Sequence, residues 1–203
     1  MKKRSIPAGF TGGFDTSLAI KTVQLKITLR HSKPPIWRRV VVPCDIDLIS
    51  LHYVIQAVMG WDNSHPHLFV KNGTVYSLED LDSGYDGKPA LDESDFTLSN
   101  LVARTGATFA YEYDFGDGWW HDLKVEKIEP VPERPNHAVC LTGACAAPPD
   151  DSGGVWGYYA KLAALADPKH PDYEYICEWF CDDFDPARFE LDNINKLLRS
   201  VCV

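Results

Sequence analysis

From Thr22 to Arg30 the chain alternates strictly. Val23, Leu25, Ile27 and Leu29 fall on one side, and Gln24, Lys26, Thr28 and Arg30 on the other. That period predicts a strand with one wet face. Ser32 to Pro35 reads as a turn and Trp37 to Val42 as the returning strand. The period then becomes helical from Asp47 to Met59, where Leu48, Leu51, Ile55, Val58 and Met59 form a stripe. Asp47 suits the N-cap and Gly60 the C-terminal stop. Leu68 to Val70 and Thr74 to Leu78 flank Asn72-Gly73, a two-residue hairpin signal. Ala107 to Tyr113 and Trp119 to Ile128 form a second hairpin around Phe115-Gly116-Asp117-Gly118.

Helical patterns close the chain. Tyr158 to Ala166 and Tyr173 to Cys181 are two segments. Asp185 caps a third, with Pro186 in its first turn and Ala187, Leu191, Ile194 and Leu198 as its stripe. Glu79 to Asp95 holds seven acids and one Lys and predicts a solvated loop. Phe96 to Arg104 predicts a short helix, and Pro130 to Gly154 irregular chain. Residues 1–21 lack periodicity and predict a mobile arm before one domain over 22–203. Strands first and helices last imply an α+β fold. The expected architecture is a mixed, mostly antiparallel sheet with one early helix packed on it, a β-grasp-like core, and a helical C-terminal layer.

Charge narrows the function. The chain of 203 residues carries 20 basic and 29 acidic side chains, a net charge of -9. That balance disfavours general nucleic-acid binding. The distribution is uneven, since nine basic residues up to Pro43 face a single acid, Asp15. A local basic face made of Lys26, Arg30 and Arg38 or Arg39 therefore stays open as an alternative. No stretch is apolar enough to span a bilayer, and the basic start lacks the apolar run of a signal peptide. Reduced thiols in a cytoplasm are the expectation for its six Cys.

Three polar segments carry candidate chemistry. The first is Trp61-Asp62-Asn63-Ser64-His65-Pro66-His67, where alternate His point to one side of an entering strand. Such a pair suits two ligands of one metal, an acid and a base, or loop residues capping backbone groups. The second runs from Tyr111 to His121, with Asp114 and Asp117 at a tight turn and His121 on the next strand. These form a carboxylate and imidazole set, or Asp residues that bond their own turn. The third contains Asp150-Asp151-Ser152-Gly153-Gly154, able to bind a cation through oxygens or simply to shape a loop. Its Gly pair lacks the residues of a phosphate loop.

The Cys spacing Cys140-x4-Cys145 and Cys177-x3-Cys181 is zinc-compatible, although a helical Cys pair one turn apart also simply packs. His52 lies in the apolar stripe of the early helix and reads as a hydrogen-bonded core residue. Of Arg38 and Arg39, one points outward and one inward, where it needs an acid partner. No nucleophile elbow, zinc-protease helix, kinase set or catalytic Cys signature is present.

In combination these motifs resemble the plasmid ORF-3-like family, named for an open reading frame of an Ri plasmid and also labelled an insertion-element passenger, or TnpR, family. The likeness runs from about Val23 to Leu198. It rests on Pro35-Ile36-Trp37-Arg38-Arg39, Leu51-His52 leading to Gly60-Trp61, and His65-x-His67-x-Phe69. It continues in Tyr113-Asp114-Phe115-Gly116-Asp117-x-Trp119-x-His121. Cys140 through Pro148-Pro149-Asp150-Asp151-x-Gly153-Gly154 to Gly157-Tyr158, and the tail Phe184-Asp185-Pro186 with Phe189 and Asn195, complete it. Members often carry Glu-Asp-Cys before the Gly pair, where this chain has Asp150, Asp151 and Ser152. The resemblance implies a compact α+β fold and a mobile-element association, and by itself no activity.

The leading expectation is a ligand-binding or interaction module for a small molecule or protein. Its pocket is built from His65, His67, Asp114, Asp117, His121, Asp150 and Asp151, with Trp61 and Trp119 as walls. The alternative is a metal-assisted hydrolase or lyase. A divalent cation would sit among His65, His67, His121 and Asp117, and Asp114 or Asp117 would act as ligand or base. A nucleic-acid accessory protein is the third reading.

Overall fold

The first strand, β1 (Lys21–Leu29), turns its apolar set inward, and Val23, Leu25 and Ile27 are fully buried. The protein was described from a computed structural model, which covers residues 20–78, 89–180 and 184–203. Most of the expected arm at 1–21, and residues 79–88 of the acidic segment, lie outside the described residues. So do residues 181–183.

The other strands are β2 (Trp37–Pro43), β3 (His67–Lys71), β4 (Thr74–Ser77), β5 (Leu91–Asp92), β6 (Thr108–Tyr113), β7 (Trp119–Pro130) and β8 (Val139–Ala144). They form one sheet in the order β5-β4-β3-β6-β7-β1-β2-β8. Among the described strands only the edge pair β4–β5 is parallel. Asn72 and Gly73 both take positive φ, 51° and 78°, as the two-residue turn between β3 and β4 requires.

The helix α1 (Leu48–Met59) lies on the sheet and buries Leu48, Leu51, Val54 and Ile55 completely. Each such side chain contributes about 1.5–3 kcal/mol by leaving water. Asp47 Oδ1 caps α1 by accepting from the Ser50 N–H at 2.6 Å. Gly60 ends the helix in the left-handed region at φ 79°, and its N–H donates to the Gln56 carbonyl. The remaining helices are α2 (Leu98–Leu101), α3 (Gly154–Leu165), α4 (Tyr173–Phe180) and α5 (Leu191–Leu198). α5 packs against both α1 and β8. The fold is α+β, with the expected early helix and C-terminal helical layer.

Four expectations need correction. The Pro130–Gly154 segment contains β8, which pairs with β2 through a register shift at Arg39/Val40. Glu93, placed in the solvated loop, is fully buried in a short 3-10 turn. The last helix begins at Leu191, because Asp185 closes a separate turn by accepting from the Ala187 N–H at 2.9 Å. The inward arginine is Arg38, and it meets carbonyls rather than an acid. It donates to Val58 O at 2.8 Å, Trp37 O at 2.9 Å and Ala144 O at 3.0 Å. The oxygen of Val58 belongs to the electronegative end of α1, which favours a cation. Arg39 points out and pairs with both Glu126 oxygens, at 2.5 and 3.0 Å.

The outer edge of β8 is covered by one side chain of α5. Asn195 Oδ1 accepts from the Cys140 N–H at 2.9 Å, and its Nδ2 donates to the Cys140 carbonyl at 2.9 Å. An amide placed in this way supplies both bonds that a neighbouring strand would supply.

Candidate functional site

Three loops meet at one end of the sheet. Asp114 follows β6 with φ 57°, a left-handed backbone that is costly for a residue with a Cβ. Its N–H donates to Pro66 O at 2.9 Å, which ties the hairpin to the loop after α1. Its Oδ1 accepts from the Gly116 and Asp117 N–H groups at 2.9 and 3.3 Å and shapes the turn. The third loop hangs from the other two. Trp61 Nε1 donates to Pro148 O at 2.8 Å, and the Gly153 N–H donates to Asp117 Oδ2 at 2.9 Å. Gly154 has φ +68°, and a Cβ there would lie 2.4 Å from the Asp117 carbonyl oxygen. The close approach of these loops therefore needs glycine at that position.

The convergence brings His65, Asp114 and Asp151 together. His65 Nδ1 lies 3.8 Å from Asp114 Oδ2, and His65 Nε2 lies 3.5 Å from Asp151 Oδ1. One ligand atom from each residue falls within 4.8 Å of the others, and no other such trio occurs among the described residues. Asp114 is buried, His65 is half-buried and Asp151 is open to solvent. Asp151 also holds a left-handed backbone, φ 57°. Two candidate ligands thus share an unfavourable conformation that the loop contacts maintain.

Asp150 lies beside the trio. Its Oδ1 is buried without a partner among the described residues. Burial, followed by the charges of Asp62 and Asp151, pushes its carboxyl up to about 6, against a bond from the Asp62 backbone and the pull of His65. Glu112, on the other face of the same hairpin, is raised to about 7, mainly by burial.

Behind the loops lies a closed circuit of four residues. The Asn63 N–H donates to Gln56 Oε1 at 2.9 Å, and Gln56 Nε2 donates to the Tyr111 hydroxyl at 3.1 Å. That hydroxyl meets His52 Nδ1 at 2.8 Å, and His52 Nε2 meets Asn63 Oδ1 at 2.6 Å. The backbone N–H fixes Gln56 Nε2 as the donor to Tyr111, and Asn63 Oδ1 can only accept, so the direction of every bond follows. Tyr111 donates to Nδ1, and a neutral His52 carries its proton on Nε2. Burial, then the neighbouring His67, holds His52 down at about 3, in agreement. Asn63, at φ 61°, anchors the loop that carries His65.

The remaining candidates lie elsewhere. His67 Nε2 contacts Glu93 Oε1 at 2.9 Å, while the other Glu93 oxygen has no partner among the described residues. His65 and His67 nevertheless line one cavity of about 380 Å³. His121 is fully buried, edge-on to Trp61 at 5.4 Å, and burial holds it down at about 3. Asp117 serves the Gly153 backbone, and Trp119 is fully buried. Trp61 stacks on Tyr113 at 4.9 Å and forms the floor beneath the loops.

Cys140, Cys145 and Cys177 form no metal-capable group among the described residues, and Cys181 lies outside them. The basic set is largely engaged. Arg30 pairs with Asp122 at 2.7 Å, Arg39 with Glu126, and Lys26 sits over the Trp37 ring at 4.8 Å. Sequence reasoning missed Glu93 and Gln56. An acid-rich surrounding hid the first, and Gln56 carries no pattern beyond its place three residues before Met59.

Residues 21–193 match the family described as plasmid pRiA4b ORF-3-like protein. The chain belongs to that family. Within reach of the family is an uncharacterised protein, y4hQ, of Sinorhizobium fredii, 41% identical over 182 residues, covering 88% of this chain and 91% of its own length. The crystal structure of a protein of unknown function from Methanosarcina mazei has the same fold, with a TM-score of 0.75 and 36% identity. It covers 86% of this chain and 98% of its own. No helix in the described residues is long and apolar enough to cross a membrane.

Proposed function

We propose that this member of the plasmid ORF-3-like family is a ligand-binding module whose site is built on a divalent cation held by His65, Asp114 and Asp151. The observation that carries the reading is the approach of three ligand atoms from three separate loops to within 4.8 Å of one another. One imidazole and two carboxylates suit a borderline or hard cation such as zinc or manganese. Three protein ligands leave coordination positions open, as in sites where a metal meets an exogenous molecule. The cavity beside His65 would receive that molecule, which the cation would grip through a carbonyl, carboxylate or phosphoryl oxygen.

A second reading, metal-assisted hydrolysis, is favoured by the unpartnered Asp150 oxygen next to the trio. In that reading the Asp150 carboxylate would accept the proton of a cation-bound water.

The test is metal analysis of protein purified without chelator, with melting curves in zinc, manganese and magnesium. Stoichiometric metal and a raised Tm are expected in the wild type. Both should be lost in Asp151→Asn, whose side chain is 78% exposed. A wild type without metal, whose Tm no added cation moves, overturns the reading.

A further inference from the structure

Arg38 is 3% exposed and has no carboxylate partner among the described residues. A guanidinium carries five N–H donors. Three are used: Nε on Val58 O, and Nη1 on Trp37 O and Ala144 O. Nη2 makes no hydrogen bond to any described residue. The guanidinium lies over the Phe189 ring at 5.2 Å and forms part of the wall of a cavity of about 400 Å³. Burial lowers its pKa to about 10, so it keeps its charge at neutral pH.

A buried cation that lacks a counter-ion costs stability unless something supplies the negative charge. Three carbonyl dipoles supply part of it. The cavity supplies a place for the rest. Its walls are mainly apolar, including Met59, Phe180, Phe184 and Ile194. Among the described residues two acids and a second arginine, Arg188, also line it, and neither acid pairs with Arg38. Asp185 accepts from the Ala187 N–H, and Glu190 accepts from Asn193 Nδ2 at 2.7 Å.

We propose that this cavity is a second ligand site, in which the free edge of Arg38 receives the oxyanion of a small amphipathic molecule whose apolar body lies between α1, α4 and α5. The site is separate from the His65, Asp114 and Asp151 trio and needs no cation.

Full-length protein in chelator is titrated calorimetrically with octanoate, octyl phosphate and octanol, three probes with one tail and different heads. Both anions should saturate, and octanol should bind at least about tenfold more weakly. Ala57→Phe adds a ring at a half-buried helix position that lines the cavity and leaves the Arg38 side chain itself unsubstituted. It should weaken octanoate by about tenfold or more while the protein alone stays folded. Arg38→Met should erase the preference of octanoate over octanol. If Arg38→Met does not fold, Ala57→Phe and the octanol comparison decide. Equal affinity for octanoate and octanol, no binding of either anion, or an Ala57→Phe protein that binds octanoate as the wild type does, would leave Arg38 only a clip on the end of α1 and overturn the proposal.

Discussion

His52 and His67 stack face to face, with ring centroids 3.5 Å apart and planes 10° apart. Two imidazolium cations at that separation repel strongly in a buried site. His52 also has both nitrogens committed to the hydrogen-bond circuit as a neutral ring. His121, fully buried beneath Trp61, is likewise held neutral.

Acid should therefore unfold the protein through His52 and His121. Their folded pKa values, about 3, lie below that of a free imidazole, so the unfolded chain binds more protons. Stability is fully present above about pH 6.5 and falls as pH drops toward 3. Urea unfolding between pH 4 and 8 measures the slope. His121→Phe should reduce it by about one proton, and an unchanged slope would show that His121 is protonated in the fold.

Tyr111→Phe deletes a hydroxyl that both donates and accepts. It leaves His52 Nδ1 and Gln56 Nε2 unpaired in the core, at a cost of about 2–4 kcal/mol. Adding Gln56→Leu should cost less than the sum of the two single changes, because the second removes one of the orphaned groups. Denaturant titration of the three variants checks both statements.

Gly154→Ala should separate the third loop from the hairpin. The new Cβ meets the Asp117 carbonyl oxygen at 2.4 Å, and the backbone is left-handed. A loss of about 1–3 kcal/mol is expected, with weaker cation binding. Gly153→Ala is the control. It shares the positive φ, but its Cβ would meet Gly157 only at 3.6 Å. Melting curves with and without zinc should rank Gly154→Ala as the more damaging.

Glu112 gives the opposite pH signature to the histidines. Its folded pKa, raised to about 7, means that the folded state holds the proton more tightly than the unfolded chain. That contribution is present below the ordinary carboxyl range and is lost as pH rises through about 7. Glu112→Gln keeps an acceptor for Trp120 and removes the buried charge. It should be more stable than wild type at pH 8 and similar at pH 5, read from urea midpoints.

Elements with a single dominant local signal were legible in the sequence. Asp47 and Gly60 bound α1 as their chemistry demands, and Asn72-Gly73 sets the hairpin. β8 was not legible, because its alternation is inverted: Val139 and Leu141 are exposed while Cys140 is buried. Pairing with β2 decides that strand, and pairing is non-local. The candidate site was legible as three segments. Which of their residues would meet depended on tertiary position. His65, Asp114 and Asp151 converge, while His121 turns into the core because the register pairs it with Tyr111 on one side and Leu29 on the other.

The amide of Asn195 has a consequence for life in a crowded solution. With Cys140 engaged, the last strand offers a visiting chain no continuous row of groups to add to. Exchange that residue for leucine and a terminus becomes a template: copies could then register edge to edge, and growth into filaments would compete with the single folded molecule.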